Sequence, residues 1–162
     1  MKRENTIDIR AVMRYFADGV TIVTGVSRKG DLFGITVTSF TSVSLSPPLV
    51  LVCIANSASA TKMIKDSRRF CVNLLTADQK DLSERFAYVE ESKRFLGVKY
   101  KIGRTGSPIL EDSCGYIDCT LFKWTKAGDH TIFLGNPIDV YAEGKLPLIY
   151  YNRGYYTICD NA

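Results

Sequence analysis

The 162-residue chain reads as mainly β, an antiparallel barrel carrying a few peripheral helices. Three observations carry this reading. Strand-like apolar runs recur along the chain, helical spacing is confined to three stretches, and the two never alternate in the βαβ order of a parallel sheet. Two segments are hairpins by their turns: "VTIVTGVSRKGDLFGITVTSF" about Arg-Lys-Gly-Asp, and "YIDCTLFKWTKAGDHTIFLGNPIDVYA" about Ala-Gly-Asp. Finally, the stretch "FGITVTSFTSVSLSPP", Phe33 to Pro48, alternates like a strand, yet seven of its sixteen residues are Thr or Ser.

The opening "TIDIRAVMRYFADG" sets Ile9, Val12, Met13 and Phe16 at helical spacing, with Asp8 as N-cap and Gly19 past the end. "PLVLVCIA" is an unbroken apolar run expected to be buried on both faces. "SASATKMIKDS" starts a second helix capped by Ser57 or Ser59, and "RFCVNLL" is the next strand. "TADQKDLSERFA" is helical, with Leu82, Phe86 and Arg85 able to reach the body of the protein. Tyr88 to Pro108 lacks periodicity and is expected to be a long surface loop of the kind that serves as a lid. Short strands near "LPLIYY" and "GYYTI" follow the hairpin.

Within the Thr/Ser-rich stretch the alternation slips. Ile35 and Val37 take odd positions and Thr36 and Thr38 even ones, but Phe40 is even while Ser39 and Thr41 are odd; Val43 and Leu45 restore the first pattern. A local inversion marks a kink or bulge, where backbone N–H groups leave the ladder. Freed donors beside hydroxyls suit a polar, planar or anionic ligand; the plain alternative is an exposed Thr/Ser face on an ordinary strand.

The apolar and charged fractions suit a soluble globular domain over residues 1–162, and the net charge of +4 is modest with its basic residues scattered. No nucleic-acid surface is called for. No apolar run approaches the roughly 20 residues of a membrane span, and "MKRENTIDIR" lacks the apolar core of a signal peptide, so a cytoplasmic protein is expected. Five cysteines without a CxxC pair, and one histidine, argue against a disulfide framework or a metal site. GxGxxG after a strand, GxxxxGK[ST] and GxSxG are all missing. What remains is chemistry carried mainly by a bound cofactor, with the protein supplying orientation and electrostatics.

The blocks "FADGVTIVTG", "GITVTSFTSVSLSPPLVLVCI", "SASATKMIKDSRRFCVNLL", "LSERFA", "GSPIL", "GDHTIFLGNPIDV" and "PLIYYNRGYY" follow one another from about Phe16 to Tyr156. In this order the chain resembles the flavin reductase-like family, the small reductase components of two-component flavin monooxygenases. The resemblance implies an FMN-binding Greek-key split barrel, a homodimer, and reduction of FMN or FAD by NADH or NADPH, with reduced flavin handed to a separate oxygenase. It implies that Val37, Thr38, Ser39 and Phe40 line the flavin ring, which would make the hydroxyl-rich slip a slot for the ring edge. Ala55, Asn56, Ser57, Ser59 and Thr61, at a helix start, would meet the flavin phosphate, where free N–H groups and the helix dipole favour an anion. Lys62, Arg85 and Phe86 would add charge and packing near the tail. Asp129 and His130 of "GDH" would contact the nicotinamide or the flavin ring, with His130 as the catalytic residue by positioning. Tyr151 and Arg153 of "YYNRGYY" would serve the nucleotide or the flavin. Pro137 in "GNPIDV" departs from the family wording and is expected at a bulge or edge. Two rivals remain: a flavoprotein that retains FMN and passes electrons to ferric iron or a rubredoxin-type carrier, and a flavin-binding module without activity.

Overall fold

The computed structural model describes residues 7–159; the charged opening Met1–Thr6 and the terminal Asp160–Ala162 lie outside the described residues. In chain order the elements are α1 (Arg10–Met13), β1 (Asp18–Gly19), β2 (Thr21–Val26), β3 (Leu32–Val37), β4 (Phe40–Leu45), β5 (Pro48–Ala55), α2 (Ser59–Ser67), β6 (Arg69–Leu74), α3 (Lys80–Tyr88), β7 (Tyr100–Ile102), β8 (Pro108–Leu110), β9 (Gly115–Ala127), β10 (His130–Ala142), β11 (Ile149–Tyr151) and β12 (Gly154–Tyr156).

The main sheet runs β3-β2-β6-β9-β10-β5-β4 with every neighbour antiparallel, so β2 pairs with the distant β6 and β5 with the distant β10, as in a Greek key. Its two edge strands, β3 and β4, are consecutive in the chain and separated only by Thr38 and Ser39. One extended segment therefore pairs with β2 along its first half and with β5 along its second, and the sheet closes on itself. The slip in alternation lies at that handover. Phe33, Ile35 and Val37 point into the core before it and Phe40 after it, so the inward parity changes from odd to even across Thr38–Ser39.

The barrel interior holds Val23, Phe33, Val50, Val52, Ile54, Phe70, Val72, Cys119, Leu121 and Phe133, with Ala60 and Ile64 of α2 packed against them. β5 is not buried on both faces as its run of apolar residues suggests. Val50, Val52 and Ile54 are buried and Leu49, Leu51 and Cys53 half-buried, because β5 has the core on one side only. A second apolar cluster outside the barrel joins Val20, Ile22, Leu75, Phe86, Leu110 and Leu148. The segment expected to be a surface lid is tied into that cluster by Phe95, Val98 and Tyr100, and Phe95 meets Phe86 edge-on at 5.0 Å. Its remainder forms the β7–β8 ribbon, held to the barrel by buried polar side chains. The Thr105 amide donates to Asp118 (2.8 Å), Asn73 accepts from the Leu110 amide (2.8 Å), and the Thr24 hydroxyl donates to the carbonyl of Pro108.

Other local expectations meet different outcomes. The opening helix is only four residues long, none of them buried, so its apolar stripe of Ile9, Val12, Met13 and Phe16 finds no partner within the described chain. Asp8 accepts from the Arg10 amide at 3.1 Å beside the cap position, and Gly19 lies in β1. The two-residue turn Gly128–Asp129 joins β9 to β10 as expected. A register shift follows Pro137, which removes one donor from the β10 ladder.

α3 docks on β3 by setting the Phe86 ring over Gly34, where an added Cβ would lie 2.4 Å from a ring carbon. Gly34→Ala is accordingly expected to lower unfolding free energy by about 1–3 kcal/mol through overpacking, read as an earlier urea midpoint at unchanged slope.

Candidate functional site

The handover between ladders leaves Thr38 and Ser39 outside both strands and puts their side chains on opposite sides. Ser39 is exposed, and its hydroxyl donates to the carbonyl of Cys53 (2.7 Å) while accepting from the Cys53 amide (3.2 Å), pinning the kink to β5. Two residues on, Ala55 ends β5 opposite His130 of β10. By strand spacing and the two-residue offset Ser39 and His130 lie on either side of β5, about 12 Å apart.

Asn56 holds this end of the barrel together. Its amide donates to the Asp129 carbonyl (2.8 Å), its side chain donates to Gly128 (3.1 Å), and its Oδ1 accepts from the Thr131 hydroxyl (2.7 Å). Asn56 therefore clamps the Gly-Asp-His turn instead of offering its side chain to a ligand. Beyond the turn, His130 Nδ1 lies 2.7 Å from Asp129 Oδ1, and the carboxyl of Asp129 is held below its ordinary range chiefly by that hydrogen bond. With Asp129 accepting from Nδ1–H, the ring turns its other nitrogen, Nε2, away from the pair, the side chain standing half exposed.

α2 begins at Ser59 after an N-cap at Ala58, which has no side chain to cap with; neither Ser57 nor Ser59 fills that place. Ser57 is exposed in the preceding turn. The buried Thr61 hydroxyl donates back to the carbonyl of Ala55 (2.8 Å) and closes the loop, and Ser59 donates to Glu91 of the 3-10 turn Glu91–Lys93. Lys62 is turned to solvent in an ion pair with Asp66 one helical turn on.

On the Thr38 side two clefts share Thr38 and Val20. One, of about 350 Å³, is lined by Asp18, Gly19, Phe40, Cys114, Lys145 and Leu148 among others. The other, of about 160 Å³, is lined by Thr36, Val37, Ser83, Tyr88, Tyr150 and Tyr155 among others. The kink, the end of α3, the 3-10 turn and the start of α2 thus follow one another along one side of the barrel, joined by the Thr36 hydroxyl to Ser83 carbonyl bond (2.7 Å) and the Ser59–Glu91 contact.

Not every candidate comes here. Phe86 is fully buried in the second cluster and presents no surface to a ligand. Arg85 lies about 200° around α3 from Ser83 and spends its guanidinium on the carbonyl of Leu96 (2.7 Å), facing a different cleft. The turn of the β11–β12 hairpin is Asn152–Arg153, both at positive φ, and carries Arg153 exposed at its tip. Tyr151 packs edge-on to Tyr15 and Tyr156 on the side away from the cleft. The hairpin instead contributes Tyr150 and Tyr155, directly opposite in register and 5.3 Å apart, with Tyr155 OH 3.0 Å from Ser83 Oγ. Parity along "IYYNRGYY" distinguishes the two pairs, but only when the turn residues are known. Asp18, Ser83 and Cys114 carried no sequence signal.

The family model of the flavin reductase like domain matches residues 13–159. The chain belongs to the flavin reductase-like family. Its members include oxidoreductases that share this architecture. A Rhizobium meliloti protein named "Probable flavin reductase" is 40% identical over 149 residues, 92% of this chain, which spans only 48% of that relative's length. The reductase subunit HsaB of a flavin-dependent monooxygenase of Mycobacterium tuberculosis is 40% identical over 151 residues, covering 91% of this chain and 79% of its own. Among solved structures, the NADH:FAD oxidoreductase SgcE6 of Streptomyces globisporus, with NAD and FAD fragments, superposes with a TM-score of 0.90 at 29% identity over 100% of this chain and 98% of that one.

All five cysteines are free. Burial pushes up the thiols of Cys53 beside the kink and Cys114 in the larger cleft, and Cys119 is raised to about 12. None is a poised nucleophile. Iodoacetamide at about pH 8 is therefore expected to label the exposed Cys159 first, Cys53 and Cys114 more slowly, and Cys71 and Cys119 only in denaturant, as mass mapping of the peptides will show.

Proposed function

We propose that the protein is an NAD(P)H-dependent flavin reductase in which NADH or NADPH delivers hydride to FMN or FAD, and reduced flavin passes to a separate oxygenase component. The observation that carries this reading is the kink at Thr38–Ser39. It leaves the Thr38 backbone outside both ladders beside two open clefts, while Ser39, on the opposite side, is pinned to β5, the strand that leads to α2 and pairs with the start of β10.

In this reading the flavin ring lies along Val37–Phe40, met mainly by backbone, since the side chains of Val37 and Phe40 point into the core. The tail runs toward α2, whose first N–H groups receive the phosphate beside Ser59. The nicotinamide approaches from the His130 side. Flavin supplies the electron-accepting ring, taking two electrons with the hydride as the nicotinamide is oxidised. The protein's task is face-on alignment and exclusion of water, which requires no acid–base triad. His130 Nε2, an acceptor while Asp129 holds Nδ1–H, suits the carboxamide NH₂ of a nicotinamide and positions the ring without moving a proton.

The same reading includes a homodimer of one-domain chains. Its support is apolar surface on two strands of the main sheet, β4 and β9: Leu45 is 92% exposed, Phe122 56% and Trp124 41%. A cytoplasmic location fits five unpaired thiols. Among the described residues no helix is long and apolar enough to cross a membrane.

Stopped-flow mixing with NADH or NADPH and FMN or FAD, following the bleaching of flavin absorbance, tests the activity; oxidation of nucleotide no faster than in flavin alone would refute it. His130→Ala is expected to slow reduction by about 10- to 100-fold with flavin affinity changed by less than about threefold, because it removes a nicotinamide contact. Equal losses in both would remove His130 from that role. Ser39→Leu breaks the pin to Cys53 and sets a bulky side chain on the exposed face of the kink, so flavin affinity should fall about tenfold or more with the fold intact by circular dichroism.

A further inference from the structure

Ser59, the first residue of α2, donates its hydroxyl to Oε2 of Glu91, the first residue of the 3-10 turn. The other carboxylate oxygen, Oε1, is buried and has no hydrogen-bond partner among the described residues. Nor do the neighbouring cations compensate it. Lys93 pairs with Glu90 at 2.9 Å, Arg94 spends its guanidinium on the carbonyls of Val89 and Gly34, Arg85 is bound to Leu96, and Lys62 is bound to Asp66. A carboxylate with one sequestered and unpaired oxygen is costly unless something brings it a donor.

We propose that Glu91 selects the flavin by what lies beyond its phosphate, disfavouring FMN and favouring FAD. The inference rests on the reading above, in which the phosphate meets the first turn of α2. FMN ends in a phosphate monoester, which carries about −2 at neutral pH. Glu91, which already takes the single hydroxyl proton of Ser59, opposes that group at close range in partly desolvated surroundings. In FAD the same phosphate is esterified onward and carries a single charge, the other lying farther out on the adjoining phosphate. The rest of the dinucleotide brings ribose hydroxyls and an adenine amine, donors that Oε1 can accept from once the carboxylate turns it outward. The competing use of Glu91 is as an acidic cap at the positive end of α2, which adds helix stability and leaves the choice of flavin alone.

The test is titration of the full chain and of Glu91→Gln with FAD, FMN and riboflavin, read by flavin fluorescence, alongside thermal unfolding. Glutamine keeps an oxygen for Ser59 and removes the charge. The unaltered protein should bind FAD more tightly than FMN. The variant should gain about tenfold in FMN affinity while FAD changes by less than about threefold and riboflavin stays put. Glu91→Ala should shift the FMN to FAD ratio in the same direction and serves if the glutamine variant folds poorly. A preference for FMN in the unaltered protein, or a ratio unmoved in a variant that binds both, would overturn the inference; an unmoved ratio with lowered thermal stability would leave Glu91 a cap. Failure of the unaltered protein to bind any of the three would instead overturn the flavin reductase reading itself.

Discussion

One extended segment must serve two hydrogen-bond ladders. β3 gives its edge to β2 and β4 gives its edge to β5, and only Thr38 and Ser39 separate them. A strand cannot turn from one partner to another without dropping some of its pairs, and dropped backbone groups require water, side chains or a ligand. Ser39 meets part of that demand by bonding both backbone groups of Cys53, which is why a hydroxyl residue stands there. Barrel closure and the clefts beside Thr38 are thus consequences of one feature. Interior and exterior also follow from it, since the change of inward parity between Val37 and Phe40 keeps apolar side chains in the core on both sides of the kink.

The other parts of the site are brought to the kink by register. β5 ends at Ala55 opposite His130, so the turn that carries the histidine is held at the end of the strand that anchors Ser39. Asn56 converts this adjacency into a fixed geometry with three hydrogen bonds to the turn and to Thr131. Lys65 extends the arrangement: its ammonium lies 4.2 Å from the Trp124 ring and within 3.5 Å of the Thr131 hydroxyl. On the other side, the second apolar cluster ties α3 and the C-terminal hairpin to the outer face of β2, bringing Ser83, Tyr150 and Tyr155 against Thr36–Thr38. A site assembled from an edge kink and four separate elements gains its precision from packing, because no single loop spans it.

The proposed reaction requires two flat rings held against each other, and this barrel suits that task through what it leaves open. The buried thiols are raised and unreactive, and the lone histidine is occupied on one nitrogen by a neighbouring aspartate. Alignment is the chemistry such a site can perform. The polar staples that fix the β7–β8 ribbon, Asn73 and Asp118 with Thr24 and Thr105, are buried away from the kink and serve the fold.

Period-two alternation, turn residues and the parity slip determined the strands of the main sheet, both hairpins and the position of the kink from sequence alone, because each is set by neighbours within a few residues. The order of blocks from Phe16 to Tyr156 identified the family for the same reason: a fold repeated among relatives keeps its local signals in sequence. Burial of β5 on one face, the packing of Phe95 and Tyr100 in an apparent loop, and the solvent exposure of the α1 stripe were decided only by tertiary structure. So were the roles of Arg85, Phe86, Tyr151 and Arg153, which adjoin site residues in sequence but face elsewhere. A residue's neighbours in the chain set its conformation, whereas the direction it faces depends on partners a hundred residues away, and a 200° step around a helix or one position along a strand reverses it.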